Sequence, residues 1–164
     1  MALTSLFIIL LVAYVFFNNQ LNKLNSLIDE NRAEIILGLE HRHQKILSIL
    51  NFISIPTEKA QELISISLKV SQTHNIKALE QAETILEMPL KEIHFLIEKS
   101  LAQSKNFELS KLKNDLIQAE NDMQNAYQNY NSAVRDFNVA LHTIPTSWIA
   151  KSNKIKEKSF FDKI

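Results

Sequence analysis

The sequence contains no cysteine, a single glycine and only three prolines among its 164 residues. Without cysteine the chain cannot form disulfides, use a thiol nucleophile or carry a lipid on an N-terminal cysteine. Tight hairpins and phosphate-binding loops both depend on glycine, so a sheet protein and a nucleotide site are both disfavoured. Residue types that are common in long helices dominate instead, and we expect an all-α fold.

The sequence also has no excess of positive or negative charge, because the formal net charge is zero. Residues 151–164 carry a net charge of +3, and the rest of the chain carries −3. A near-neutral body offers no broad surface for phosphates, so we expect no nucleic-acid partner. No phosphate loop and no serine nucleophile motif is found, so we expect neither an enzyme nor a small-molecule substrate.

Residues 1–17, "MALTSLFIILLVAYVFF", hold no charged side chain. As a helix this run is about 25 Å long, close to the minimum for crossing a bilayer. A cleaved signal peptide and a buried core helix are the alternatives. A signal peptide needs a basic start and a small-residue cleavage site, and this run has neither. We therefore predict a retained single-pass anchor over residues 1–18.

The orientation of this anchor follows from the basic residues that flank it. Lys23 and Arg32 come soon after the apolar run, and no basic residue precedes it. The positive-inside rule then predicts that the short N-terminus lies outside and the body lies in the cytoplasm.

Apolar residues at helical spacing fill residues 19–145, and we predict an antiparallel up-down bundle of about four long helices with coiled-coil-like seams. Prolines suggest where these helices end, because proline disrupts a helix interior. The predicted helices run from the anchor to about Phe52, over 58–86, from Pro89 to about Leu101, and over 109–144.

The fourth helix carries a polar stripe beside its apolar one. The stripe has steps of four, three and four residues and consists of Asn131, Arg135, Asn138 and His142. It is interpreted either as a solvated flank or as a network that reaches a neighbouring helix through Arg42, Glu34 or Glu120. A catalytic site has the least support, since no nucleophile with a base lies nearby in the sequence.

The C-terminal tail, residues 146–164, is basic and aromatic. In an up-down bundle the fourth helix returns toward the membrane, so the tail would arrive near the lipid headgroups. We predict that its membrane-interface residues are Trp148, Lys151, Lys154, Lys156, Lys158, Phe160 and Phe161. A disordered, solubilising tail is the alternative.

The five histidines do not form a metal motif. His41 and His43 point to different sides of a helix, so they cannot chelate one ion together. Glu40 and His43 make one Glu-x-x-His, and a di-iron bundle needs two. We expect neither a metal nor another cofactor.

Several stretches resemble the LemA family of bacterial membrane-anchored proteins. The most specific is "YNSAVRDFNVALHTIP" at 130–145, followed by Ile149 and Ala150. Weaker matches are "LSKLKNDLIQAENDM" at 109–123, "LEHRHQKI" at 39–46 and "KEKSFF" at 156–161. Arg32 stands where the family usually has tryptophan. The resemblance implies a helical bundle on one membrane span, with no established molecular activity and no catalytic residues to carry over.

Three functional hypotheses follow. The first is a membrane-anchored scaffold or adaptor for other envelope proteins or for further copies of itself. The second is a membrane-surface or membrane-remodelling module that acts through lipid contact of the tail. The third is a subunit or regulator of an enzyme such as a membrane protease.

Overall fold

A computed structural model describes residues 2–53, 56–104 and 106–162 of the chain. These residues form helices and no strands, so the all-α prediction is confirmed. Five helices follow one another along the chain: α1 Ala2–Phe52, α2 Thr57–Ser71, α3 Ile76–Gln103, α4 Phe107–His142 and α5 Thr146–Ser152. The first four match the predicted number of bundle helices, although the boundary between α2 and α3 differs from the prediction, and α5 is a short helix inside the predicted tail.

Helix α1 is the longest, with 51 residues. Its N-terminal part is apolar and exposed, and α1 is the one described helix that is long and apolar enough to cross a membrane. This finding fits a membrane-associated helical protein. The only glycine of the chain, Gly38, lies where α1 passes Met123 of α4, and a side chain there would displace the Met123 thioether.

The predicted helix boundary at Pro89 is wrong, because Pro89 lies inside α3. The true boundary lies at Asn75, whose side chain accepts hydrogen bonds from the backbone N–H groups of Lys77 and Ala78 at 3.0 and 3.3 Å. Interior proline costs about 3 kcal/mol. Burial on both sides of Pro89 offsets this cost, since each buried aliphatic side chain contributes about 1.5–3 kcal/mol. The buried aliphatic residues are Leu79, Leu86, Ile93 and Ile97.

The chain divides into two compact units, and α1 and α4 contribute to both. The first, here called the anchor unit, comprises the residues up to Arg32 together with Asn129–Phe160. Within it α1 and α4 run antiparallel, since the charges of Asp29 and Arg32 act on Tyr130 while Phe17 shares a groove with Pro145. Its buried apolar residues include Leu21, Ile28, Val134, Phe137, Leu141 and Ile149.

The second unit, here called the four-helix unit, comprises Ala33–Gln128 and the chain from Phe161 onward. Helix α4 runs antiparallel to α1, since Met123 lies at Gly38 while Asp115 pairs with Lys45. It also runs antiparallel to α3, since Glu120 contacts His94 while Lys113 pairs with Glu98. The core of this unit is a cluster of aliphatic side chains from all four helices: Ile46, Ile49, Leu50, Ile53, Leu63, Ile93, Ile97, Leu109 and Leu116.

Candidate functional site

A buried ion pair is the most distinctive polar feature of the four-helix unit. Arg42 of α1 and Glu83 of α3 are 5% and 9% exposed. The Arg42 guanidinium donates two hydrogen bonds to the Glu83 carboxylate, one from Nη1 to Oε2 at 3.1 Å and one from Nη2 to Oε1. Burial by itself lowers the pKa of Arg42, but the hydrogen bond and charge of Glu83 raise that pKa above its ordinary value. Arg42 therefore stays charged, and its hydrogen bonds to Glu83 hold α1 to α3.

Tyr127 of α4 lies close to this pair, since the charges of Glu83 and Arg42 both act on its phenol. Its hydroxyl is buried and makes no hydrogen bond within the part of the chain that the structure describes. Burial, followed by the negative charge of Glu83, raises the pKa of Tyr127, so the phenol is neutral. The Tyr127 ring stacks on Phe161 with centroids 4.0 Å apart, which closes this region with the C-terminal segment.

Two histidines make further polar contacts between helices of the same unit. His43 Nδ1 lies 2.7 Å from Ser67 Oγ, and burial lowers the pKa of His43. His94 Nε2 lies 2.9 Å from Glu120 Oε1, and this hydrogen bond raises the pKa of His94 despite partial burial. Folding thus shifts the pKa values of the two histidines in opposite directions.

The arrangement links helices of the four-helix unit through charged and aromatic contacts. The charges of Arg42 and Glu83 neutralise each other, and the neighbouring Tyr127 phenol is neutral. Across the described ranges, no three His, Asp or Glu side chains come together as metal ligands. The sequence interpretation missed Glu83, although a charged residue between Leu79 and Leu86 on the apolar face of a helix is a signal that could have found it.

The predicted polar stripe on α4 contacts the C-terminal tail within the anchor unit. Asn138 makes two hydrogen bonds with the backbone of Lys158, donating from Nδ2 to the carbonyl at 3.0 Å and accepting from the amide at 2.9 Å. His142 Nε2 lies 2.5 Å from Glu157 Oε1. Arg135 is exposed, and Asn131 is half-buried. The stripe is therefore divided between tail-binding and outward-facing side chains.

The predicted membrane-interface residues divide by exposure. Trp148 is 65% exposed, and Phe160 is exposed as well. Lys158 is half-buried, and its ammonium lies 5.9 Å from the centre of the Phe137 ring. Phe161 is buried against Tyr127 and does not face outward, so the prediction of lipid contact rests on the others. The exposed lysines are Lys151, Lys154 and Lys156.

Helix α5 lies beside the apolar part of α1. A groove within the anchor unit is lined on one side by Leu10, Tyr14 and Phe17 and on the other by Trp148 and Ile149. The amide of Asn153 also donates to the side-chain oxygen of Asn18 at 3.4 Å. Because α5 touches the segment that could cross a membrane, any membrane around that segment would meet α5.

Comparison with known proteins identifies one family. The family model described as LemA family matches residues 32–163, which is most of the chain. A search of curated proteins found no match. The matched region includes the Arg42–Glu83 pair, Tyr127 and the tail, and it begins after the apolar part of α1.

Proposed function

The chain belongs to the LemA family, and from this premise we propose that it is a non-enzymatic, single-pass membrane protein of the bacterial cell envelope. Its helical bundle acts as a scaffold or adaptor that binds other envelope proteins. The apolar N-terminal part of α1 supports the membrane association. The observation that carries the scaffold role is an apolar outer face on α3.

This outer face consists of Ile85, Met88 and Phe95, which are 60%, 71% and 66% exposed. Steps of three and seven residues put them on one side of the helix. The core side of α3, with residues such as Leu86 and Ile93, is the opposite one. A helix that is apolar on both sides within a water-facing bundle indicates a protein-binding surface.

The groove beside this face adds shape to the surface. Lys59 and Leu63 of α2 line it together with Met88, Pro89 and Phe95 of α3. The charged residues Glu62, Lys91 and Glu92 line the groove as well, and this mixture of apolar and charged side chains is compatible with a protein interface that has an apolar centre and a polar rim. An amphipathic helix of an envelope protein fits such a groove.

Photo-crosslinking in intact cells tests the scaffold role. A photoreactive amino acid is placed at Met88 of the full-length protein, and in a matched control at Leu37, which is 65% exposed and lies on α1. We expect defined protein adducts from Met88 and few from Leu37, and loss of the Met88 adducts in Phe95→Asp. Equal adduct patterns from both positions would refute a specific surface on α3. Adducts to a membrane protease would favour the regulatory hypothesis.

A further inference from the structure

The structure brings α5 and the turn before it against the apolar part of α1. Trp148 and Ile149 share a groove with Leu10 and Phe17, and Asn153 contacts Asn18 just after the apolar run. A membrane that surrounds residues 3–17 therefore reaches α5 as well. The groove between α1 and α5 is lined mainly by apolar side chains.

The residues of this segment match such a position in type and exposure. Residues 143–150, "TIPTSWIA", contain no charged side chain. Ile144 and Trp148 are 66% and 65% exposed, although Ile149 beside them is buried. Tryptophan favours the boundary between headgroups and acyl chains, and an exposed isoleucine is costly in water.

The chain turns basic directly after this apolar segment. Lys151, Lys154 and Lys156 are exposed and form no ion pair with any residue that the structure describes. The nearby acidic residue Glu157 contacts the His142 ring. Lysines next to an apolar interfacial helix are the arrangement that binds anionic headgroups, because the ammonium groups remain in the polar layer.

We propose that α5 and the preceding turn form a second membrane contact, in which Ile144 and Trp148 enter the lipid interface and the three lysines bind anionic headgroups. The occupant of this surface is the lipid of the membrane that holds α1. The proposal requires α1 to be the anchor, but it does not depend on the scaffold role.

The chain supplies its own probe, since Trp148 is its only tryptophan. The full-length protein is reconstituted in vesicles that contain phospholipid brominated either close to the headgroup or near the chain end. We expect Trp148 fluorescence to be quenched mainly by the shallow bromines and to be protected from acrylamide in water. Free access of acrylamide would overturn the proposal. Protection from both quenchers would overturn it too, because protein and not lipid would then cover Trp148.

Two reporter variants calibrate the depth. Both carry Trp148→Phe, and a tryptophan replaces either Phe7, within the apolar run, or Leu27, ten residues past its end. The Phe7→Trp reporter should be quenched by the deep bromines, and Leu27→Trp, about 15 Å beyond Phe17 by helical rise, should be open to acrylamide. Quenching of Phe7→Trp without quenching of Trp148 would leave the anchor standing and refute the contact of α5.

The anionic preference is tested with brominated phosphatidylglycerol and brominated phosphatidylcholine at equal mole fraction. Trp148 should be quenched at least about twofold more by the anionic lipid, since each lysine near the surface favours it. The triple variant Lys151→Gln, Lys154→Gln and Lys156→Gln should remove this preference and keep the quenching by total lipid. An unchanged preference in the triple variant would contradict the role of the lysines.

Discussion

The four-helix unit and the anchor unit handle apolar surface differently. In the four-helix unit, aliphatic side chains from four helices form a buried core, and Arg42 and Glu83 form a buried ion pair. In the anchor unit, residues such as Phe7, Ile144 and Trp148 are exposed. Hydrogen bonds between Asn138 of α4 and the backbone of Lys158 attach the tail. The apolar face that the four-helix unit exposes on α3 is small, whereas the anchor unit exposes an apolar helix segment together with Ile144 and Trp148, a larger surface that another apolar medium or a partner would cover.

The comparison also separates two kinds of polar contact. Buried charges are costly to leave unpaired, so the Arg42–Glu83 contact acts on the stability of a whole unit. Hydrogen bonds at the rim of the anchor unit act locally on the tail, because water can replace them. Substitutions in the two units should therefore differ in size and in the extent of the chain that responds.

The largest expected effect comes from breaking the ion pair on one side. Glu83→Leu or Arg42→Met leaves one buried charge without a partner and should cost about 3–5 kcal/mol of unfolding free energy. The double variant Arg42→Met with Glu83→Leu should recover most of this loss, since no buried charge remains. Urea unfolding in mild detergent, followed by circular dichroism, measures all three. Additive losses in the double variant would contradict the account.

This pair shows where sequence reasoning ends. Periodicity is enough to predict the helical fold and the long stripe of α4, because those follow from local spacing. Arg42 and Glu83 are 41 residues apart, and no local pattern predicts which charge meets which. The helix boundary predicted at Pro89 is wrong because the burial of α3 side chains on both sides of Pro89 outweighs the cost of a proline inside a helix.

The site predictions have the same limit. The composition of the tail identified an aromatic and basic segment, but it could not separate Phe160, which is exposed, from Phe161, which stacks on Tyr127. The steps of the polar stripe placed Asn138 beside the seam of α4. They could not show that its partner is the backbone of Lys158, since the course of a tail after a proline is set by tertiary packing.

A second, smaller effect is expected at the point where the chain leaves the anchor unit. Phe161→Ala removes a buried ring and should cost about 2 kcal/mol, less than a central phenylalanine because a chain end can relax. Phe160→Ala, at the neighbouring and exposed position, is the matched control and should cost under about 1 kcal/mol. The same urea titration measures both. Equal losses would show that Tyr127–Phe161 stacking does not stabilise the four-helix unit.

A third effect should be confined to the anchor unit. Asn138→Ala removes both hydrogen bonds to Lys158, each of which contributes about 0.5–1.5 kcal/mol. We expect the Lys158 amide to exchange its hydrogen roughly tenfold faster, with the global unfolding midpoint nearly unchanged. Arg135→Ala, one turn earlier and exposed, serves as the control and should leave this exchange rate as it is. A large drop of the global midpoint in Asn138→Ala would mean that the tail stabilises more than its own unit.

The smallest expected effect is a pH dependence of the four-helix unit at His94. Its pKa is raised in the folded protein, by the Glu120 hydrogen bond first, so the folded state binds the proton more tightly than the unfolded chain does. The stabilisation is complete below the ordinary histidine pKa of 6.5 and is lost as pH rises through the higher folded value. The pair is partly exposed and screened, so its contribution should stay below about 1 kcal/mol.

His43 acts with the opposite sign, because burial lowers its pKa. The difference between the wild-type protein and His94→Gln, followed by urea unfolding from about pH 5.5 to pH 8.5, isolates His94 from His43. Glu120→Gln should reduce the same difference, and a pH dependence that survives both substitutions would assign the effect to other groups.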